Sequence, residues 1–223
     1  MSGPTLDTVL NRAFEVQPPL SPGTSATIGL VTLTAVVFPG TWQLVRHFQV
    51  MAHEGSHSLI GSAVGFRTTG VTLSRSAEGL TKLEGTSFLA ALAGYLGPSG
   101  FGLAAAKLIS IRHSVAVLWI SLVLLAVLLL LVRNWFGRVT VFAAMAVIFF
   151  IARYTSVAAE TVTAYTIAWL LLLSGVRIVI ARWKGSGDAK VLAEMTRTWP
   201  IIWTLLWLAA TSVALVVGGS MLA

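Results

Sequence analysis

Apolar runs long enough to cross a lipid bilayer recur from residue 25 to residue 221 and leave little chain for anything else. A spanning helix needs about 20 mostly apolar residues. Seven segments read this way, at roughly 25–39, 42–64, 86–109, 115–132, 139–153, 161–182 and 199–221. The first and fifth are short for a span and are expected to be tilted or re-entrant. Only 10% of the 223 residues are charged and the mean hydropathy is +0.86, so the expected fold is an all-α polytopic membrane helix bundle of about seven spans. Residues 1–24, with Pro4, Pro18, Pro19 and Pro22, read as a polar arm, flexible or lying on a surface, and 25–223 as one membrane-embedded domain. No basic cluster precedes the first apolar run, which argues against a cleaved signal peptide.

The formal net charge of +7 would suggest nucleic acid in a soluble protein. Here the cations are scattered and sit at the ends of apolar runs, where they face headgroups or set orientation, so no nucleic-acid partner is expected. With seven spans, the arm and the loops after the second, fourth and sixth carry eleven cations: Arg12, Arg67, Arg75, Lys82, Arg133, Arg138, Arg177, Arg182, Lys184, Lys190 and Arg197. The other side has four, Arg46, Lys107, Arg112 and Arg153. The positive-inside rule then predicts a cytoplasmic N-terminus, an external C-terminus and residues 53–57 in the cytoplasmic half of the bilayer. The chain has no cysteine, which excludes disulfides, thiolate metal sites and thiol nucleophiles.

Two stretches interrupt the helical pattern. In residues 66–84, Val71 and Leu73 alternate with Thr72 and Ser74, Ala77-Glu78-Gly79 offers a turn, and Leu80 to Leu83 returns. This predicts a small β-hairpin at the membrane surface, with a plain loop as the alternative. Between Trp183 and Trp199 a Gly/Ser-rich turn leads to Asp188 and a short amphipathic helix.

The second apolar run carries His53-Glu54-Gly55-Ser56-His57, which fits HExxH. Residues i and i+4 share a helix face, so both imidazoles reach one ion, while Glu54 projects about 100° round from His53. Zinc lowers the pKa of a bound water toward ~7, and the glutamate takes its proton as the water attacks a carbonyl. Ionisable groups inside a span are costly, so three within five positions mark a functional site; an interfacial stretch merely meeting water is the bland alternative.

Catalytic zinc takes three protein ligands and keeps a position open. His47 points elsewhere on the helix and His113 lies in a loop of the other side. Asp188 and Glu194 share the loop on the same side as the motif. Asp188 is better placed, after Gly185-Ser186-Gly187 and opening a helix, although a plain N-cap explains it equally well.

HEGSH, the AGYLGP run at Ala93–Pro98, the RNWFG turn at Arg133–Gly137 and the SGDA run at Ser186–Ala189 resemble the site-2-protease family of intramembrane zinc metallopeptidases. The likeness is to its compact bacterial branch, which lacks soluble domains. It implies one zinc per chain, Asp188 as third ligand beside His53 and His57, Glu54 as the catalytic base, and 25–223 as a peptidase domain. It further implies a bacterial plasma-membrane protein whose partners are the bilayer, a transmembrane protein substrate and a regulatory membrane protein. Many members set the aspartate beside an asparagine and a following glycine, which Asp188 lacks; Asn134 reads as a turn residue. Gly94, Gly97, Pro98 and Gly100 read as close helix packing. A multi-span transporter with an ion pathway, or an inactive helix-binding relative, are the rival readings.

Overall fold

The computed structural model describes residues 6–183 and 187–223, so Gly185 and Ser186 of the expected turn lie outside the described residues. The described elements are α1 (Leu6–Asn11), α2 (Pro22–Val37), α3 (Pro39–Ala63), β1 (Thr68–Leu73), β2 (Gly79–Leu83), α4 (Phe88–Ser110), α5 (Ser114–Leu131), α6 (Trp135–Tyr154), α7 (Val157–Ala181), α8 (Asp188–Thr196) and α9 (Pro200–Leu222). At the centre, α4 packs on α7, α3 and α9. Small residues allow this approach: a Cβ on Gly175 of α7 would stand 2.2 Å from Ser99 Oγ of α4. Leu118 and Leu172 are fully buried within, while Leu130 is 80% and Val216 72% exposed on the outside, as lipid-facing positions require.

Five helices, α4, α5, α6, α7 and α9, are long and apolar enough to cross a membrane; a sixth crossing is available if α2 and α3 count as one. Those two are bent 101° from each other, which corrects the reading of 25–39 and 42–64 as separate spans. The cause is Pro39. The residue before a proline is driven out of the helical region, and Phe38 is extended at φ −69°, ψ 127°. Arg177 of α7 secures the break, donating to the Val36 carbonyl and stacking over Trp42 at 4.2 Å. The fifth segment is not short, since α6 runs 20 residues.

The expected hairpin is present. β1 and β2 pair antiparallel with Leu73 opposite Gly79 and Val71 opposite Thr81. The outer edge of β1 is covered by the α5–α6 connection: Arg133 N–H donates to Val71 C=O at 2.9 Å, and Val71 bridges Val132. Asn134, read as a turn residue, holds Leu73 like an added strand. Its Nδ2 donates to Leu73 C=O at 2.7 Å and its Oδ1 accepts from Leu73 N–H at 3.0 Å.

Residues 12–17 are pinned to the opposite end of the bundle. Arg12 pairs with the fully buried Glu160 at 2.9 Å, and Gln17 N–H donates to Arg112 C=O at 2.8 Å. Residues 12–17 therefore share an end with the α4–α5 and α6–α7 connections, not with the hairpin. Grouping Arg12 with the loops after α3, α5 and α7 is corrected accordingly.

Candidate metal centre

His53 and His57 stand one turn apart on α3, with ring centroids 4.7 Å apart and Nε2 atoms 3.1 Å apart. Gly94 of α4 makes room for them, and Gly97 makes room for Ser56 beside them. A Cβ on Gly94 would lie 2.4 Å from His57 Nε2, and one on Gly97 1.6 Å from Ser56 Oγ. Gly94, read from the sequence as a packing residue, is thus what lets the imidazoles lie against the α4 backbone; nothing crowds Gly100. His57 Nδ1 sits 2.7 Å from the Ala90 carbonyl, which can only accept, so Nδ1 carries a proton and the ring is oriented with Nε2 toward Asp188.

Asp188 arrives from the other end of the sequence. As the first residue of α8 it follows Gly187, whose φ of +69° suits a residue without Cβ. Its Oδ2 lies 3.2 Å from His53 Nε2 and 3.2 Å from His57 Nε2. Burial alone would raise the Asp188 carboxyl; the hydrogen bonds and charge of the two imidazoles outweigh it and hold the carboxyl below the usual carboxylate range. The side chain is spent on the histidines rather than on capping its helix. Glu194 faces outward, 3.9 Å from Lys190. His47 bonds to the Gln43 carbonyl and packs against Phe136, and His113 begins α5 at the far end, so neither joins the cluster.

Glu54 is 4% exposed beneath β2. Thr81 Oγ1 donates to its Oε2 at 2.6 Å, and a Cβ on Gly79 would stand 2.4 Å from its Oε1. A cavity of about 440 Å³ opens between α3, the hairpin, the starts of α4 and α8 and the end of α7. Tyr95 lines it, its ring edge-on to His53 at 4.8 Å and against Trp207 at 4.5 Å. At its mouth Glu78 Oε1 faces Arg182 at 3.4 Å and Arg46 at 4.0 Å.

A profile of the Peptidase M50B-like family matches residues 26–218. The chain belongs to that family. Membership bears out the resemblance to the site-2-proteases read from HEGSH. No curated protein and no solved structure matches it.

The M50B-like family implies zinc, and the donor set of this chain fits one. Nε2 of His53, Nε2 of His57 and a carboxylate oxygen of Asp188 all lie within 4.8 Å of one another. A tetrahedral ion with ligands at about 2.0–2.1 Å sets them about 3.3 Å apart. The separations of 3.1, 3.2 and 3.2 Å match that spacing. Sequence reading of this M50B-like chain missed Thr81, Gly79 and Tyr95 as lining residues. The alternation of the hairpin was the available signal, since it puts Gly79 and Thr81 on one face.

Proposed function

We propose that the chain is an intramembrane zinc metallopeptidase, hydrolysing a peptide bond within or near the transmembrane helix of a membrane-protein substrate. The convergence of His53, His57 and Asp188 beside Glu54 carries this reading, in a chain of the M50B-like family. His53, His57 and Asp188 would hold the ion and leave the cavity side open. Zinc, when bound, supplies Lewis acidity toward the carbonyl and makes water a nucleophile near neutral pH. Glu54 is the general base: Thr81 fixes Oε2, and Oε1 takes the proton of the attacking water. The water oxygen bonds to the carbonyl carbon, the C–N bond breaks, and Glu54 returns the proton to the leaving nitrogen.

A helical peptide bond is shielded by its own hydrogen bonds, so the substrate must unwind locally. The free edge of β2 suits such a segment. Ser74 N–H donates to Glu78 C=O, and the alternation from that pair turns the N–H and C=O of Gly79 and Thr81 away from β1. This edge borders the cavity and offers the substrate an added-strand pairing.

Arg67, Arg75, Lys82 and Arg133, with Arg138 in the first turn of α6 and Lys190 and Arg197 in and after α8, lie at the hairpin end, where Arg182 and Arg46, the latter grouped with the other side from the sequence, line the cavity. The opposite end has Arg12, Lys107, Arg112 and Arg153. The positive-inside rule therefore orients the site toward the cytoplasm and, given where residues 12–17 dock, turns those residues and the end of α9 toward the outside, in place of the cytoplasmic N-terminus expected from the sequence. The test of function is cleavage of single-span membrane proteins by purified protein, abolished by a chelator and restored by zinc.

A further inference from the structure

Gln49 lies one turn before His53 on α3 and lines the same cavity. It is 1% exposed, and neither its Nε2 nor its Oε1 has a hydrogen-bonding partner among the described residues. A buried carboxamide left with both groups unpaired is destabilising, and an apolar side chain of the same length would be the better structural choice. A partner that arrives with a ligand in the cavity would satisfy both groups.

Its place on the helix says which wall it serves. At about 100° per residue, Gln49 stands about 40° from His53 and about 140° from Glu54. The two histidines fall between. Glu54 and the β2 edge therefore form one wall of the cavity, and Gln49 stands on the other side of the imidazole pair.

The protein already displays what a side-chain amide does to an extended backbone. Asn134 pairs with both the N–H and the C=O of Leu73 on the edge of β1 that β2 leaves open. Gln49 has the same functional group, unpaired, beside a cavity bordered by a second open strand edge. Resting on the peptidase reading above, we infer that Gln49 is a substrate-backbone clamp. Its Nε2 donates to the C=O and its Oε1 accepts from the N–H of one residue of the unwound substrate, on the strand edge facing away from β2. It binds every sequence alike, because it reads only backbone.

The test uses the full chain purified in detergent with zinc, in the Glu54→Gln background so that ligand survives. The probe is a fluorescein-labelled synthetic peptide with a spanning core of Leu, Ala and Gly, together with versions in which one backbone N–H at a time is replaced by an ester oxygen. Gln49→Met keeps the length and removes the amide. The clamp predicts about tenfold weaker binding of the all-amide peptide to Gln49→Met, with unchanged zinc content. One ester position weakens binding severalfold to the Gln49 chain and has no effect on the Met variant. Equal affinity of the two chains for the all-amide peptide overturns the inference, and so does an ester penalty that is the same in both, whatever the melting temperatures. Failure of the unsubstituted chain to cleave the all-amide peptide would count against the peptidase reading instead, since binding and its ester coupling are measured without hydrolysis.

Discussion

The Thr81 hydroxyl sits 2.6 Å from Glu54 Oε2, so the hairpin strand that borders the cavity also fixes the carboxylate meant to act as base. Thr81→Val removes that bond while preserving shape and should lower cleavage about tenfold. Gly79→Ala acts on the same group from the other side, because its methyl would meet Glu54 Oε1 at 2.4 Å. Both variants should keep full zinc, measured by metal analysis; loss of metal in either would mean that the hairpin supports the ligands and not the base.

Gly94→Ala should do the opposite. The added carbon would fall 2.4 Å from His57 Nε2 and 2.8 Å from His53 Cε1, so the imidazoles must leave the positions that suit a metal. Zinc content should drop sharply, with a modest effect on thermal stability. Gly100→Ala is the control, since nothing lies within 4 Å of its Cβ position.

Asp188→Ala should lower zinc occupancy and abolish cleavage, because two neutral imidazoles leave a divalent ion poorly neutralised. A helix-capping role alone would cost about 1 kcal/mol of stability and spare the metal. Glu194→Ala, on the exposed face of the same helix, should keep both zinc and activity.

The absence of native cysteine makes sidedness directly measurable. Single cysteines at Ser74 and Lys190 should label from the cytoplasmic face, and one at Glu15 from the opposite face. Labelling of Glu15 from the same side as Ser74 would contradict the docking of the arm at the far end.

The HExxH pair was legible because its geometry is local: i and i+4 on any helix share a face. The hairpin was legible from alternation bracketed by turn residues. Hydropathy could not reveal the bend at Pro39, since it measures the content of two runs and not the angle between them. Asp188 was one of two acids until the family resemblance chose it, because nothing local separates a ligand from an N-cap. Thr81 and Asn134 act on groups 27 and 61 residues away, and no periodicity encodes such a contact. Gly94 was read correctly as a packing residue, but what it packs against only the fold reveals.

The central claim is that Glu54 supplies the base for peptide hydrolysis at a zinc held by His53, His57 and Asp188. The most direct measurement is the cleavage rate and zinc content of purified Glu54→Gln beside the unsubstituted chain, on one single-span substrate. The account predicts unchanged zinc, an unchanged melting profile and a rate lowered ~10²–10⁴-fold. Cleavage by Glu54→Gln at the unsubstituted rate would contradict it.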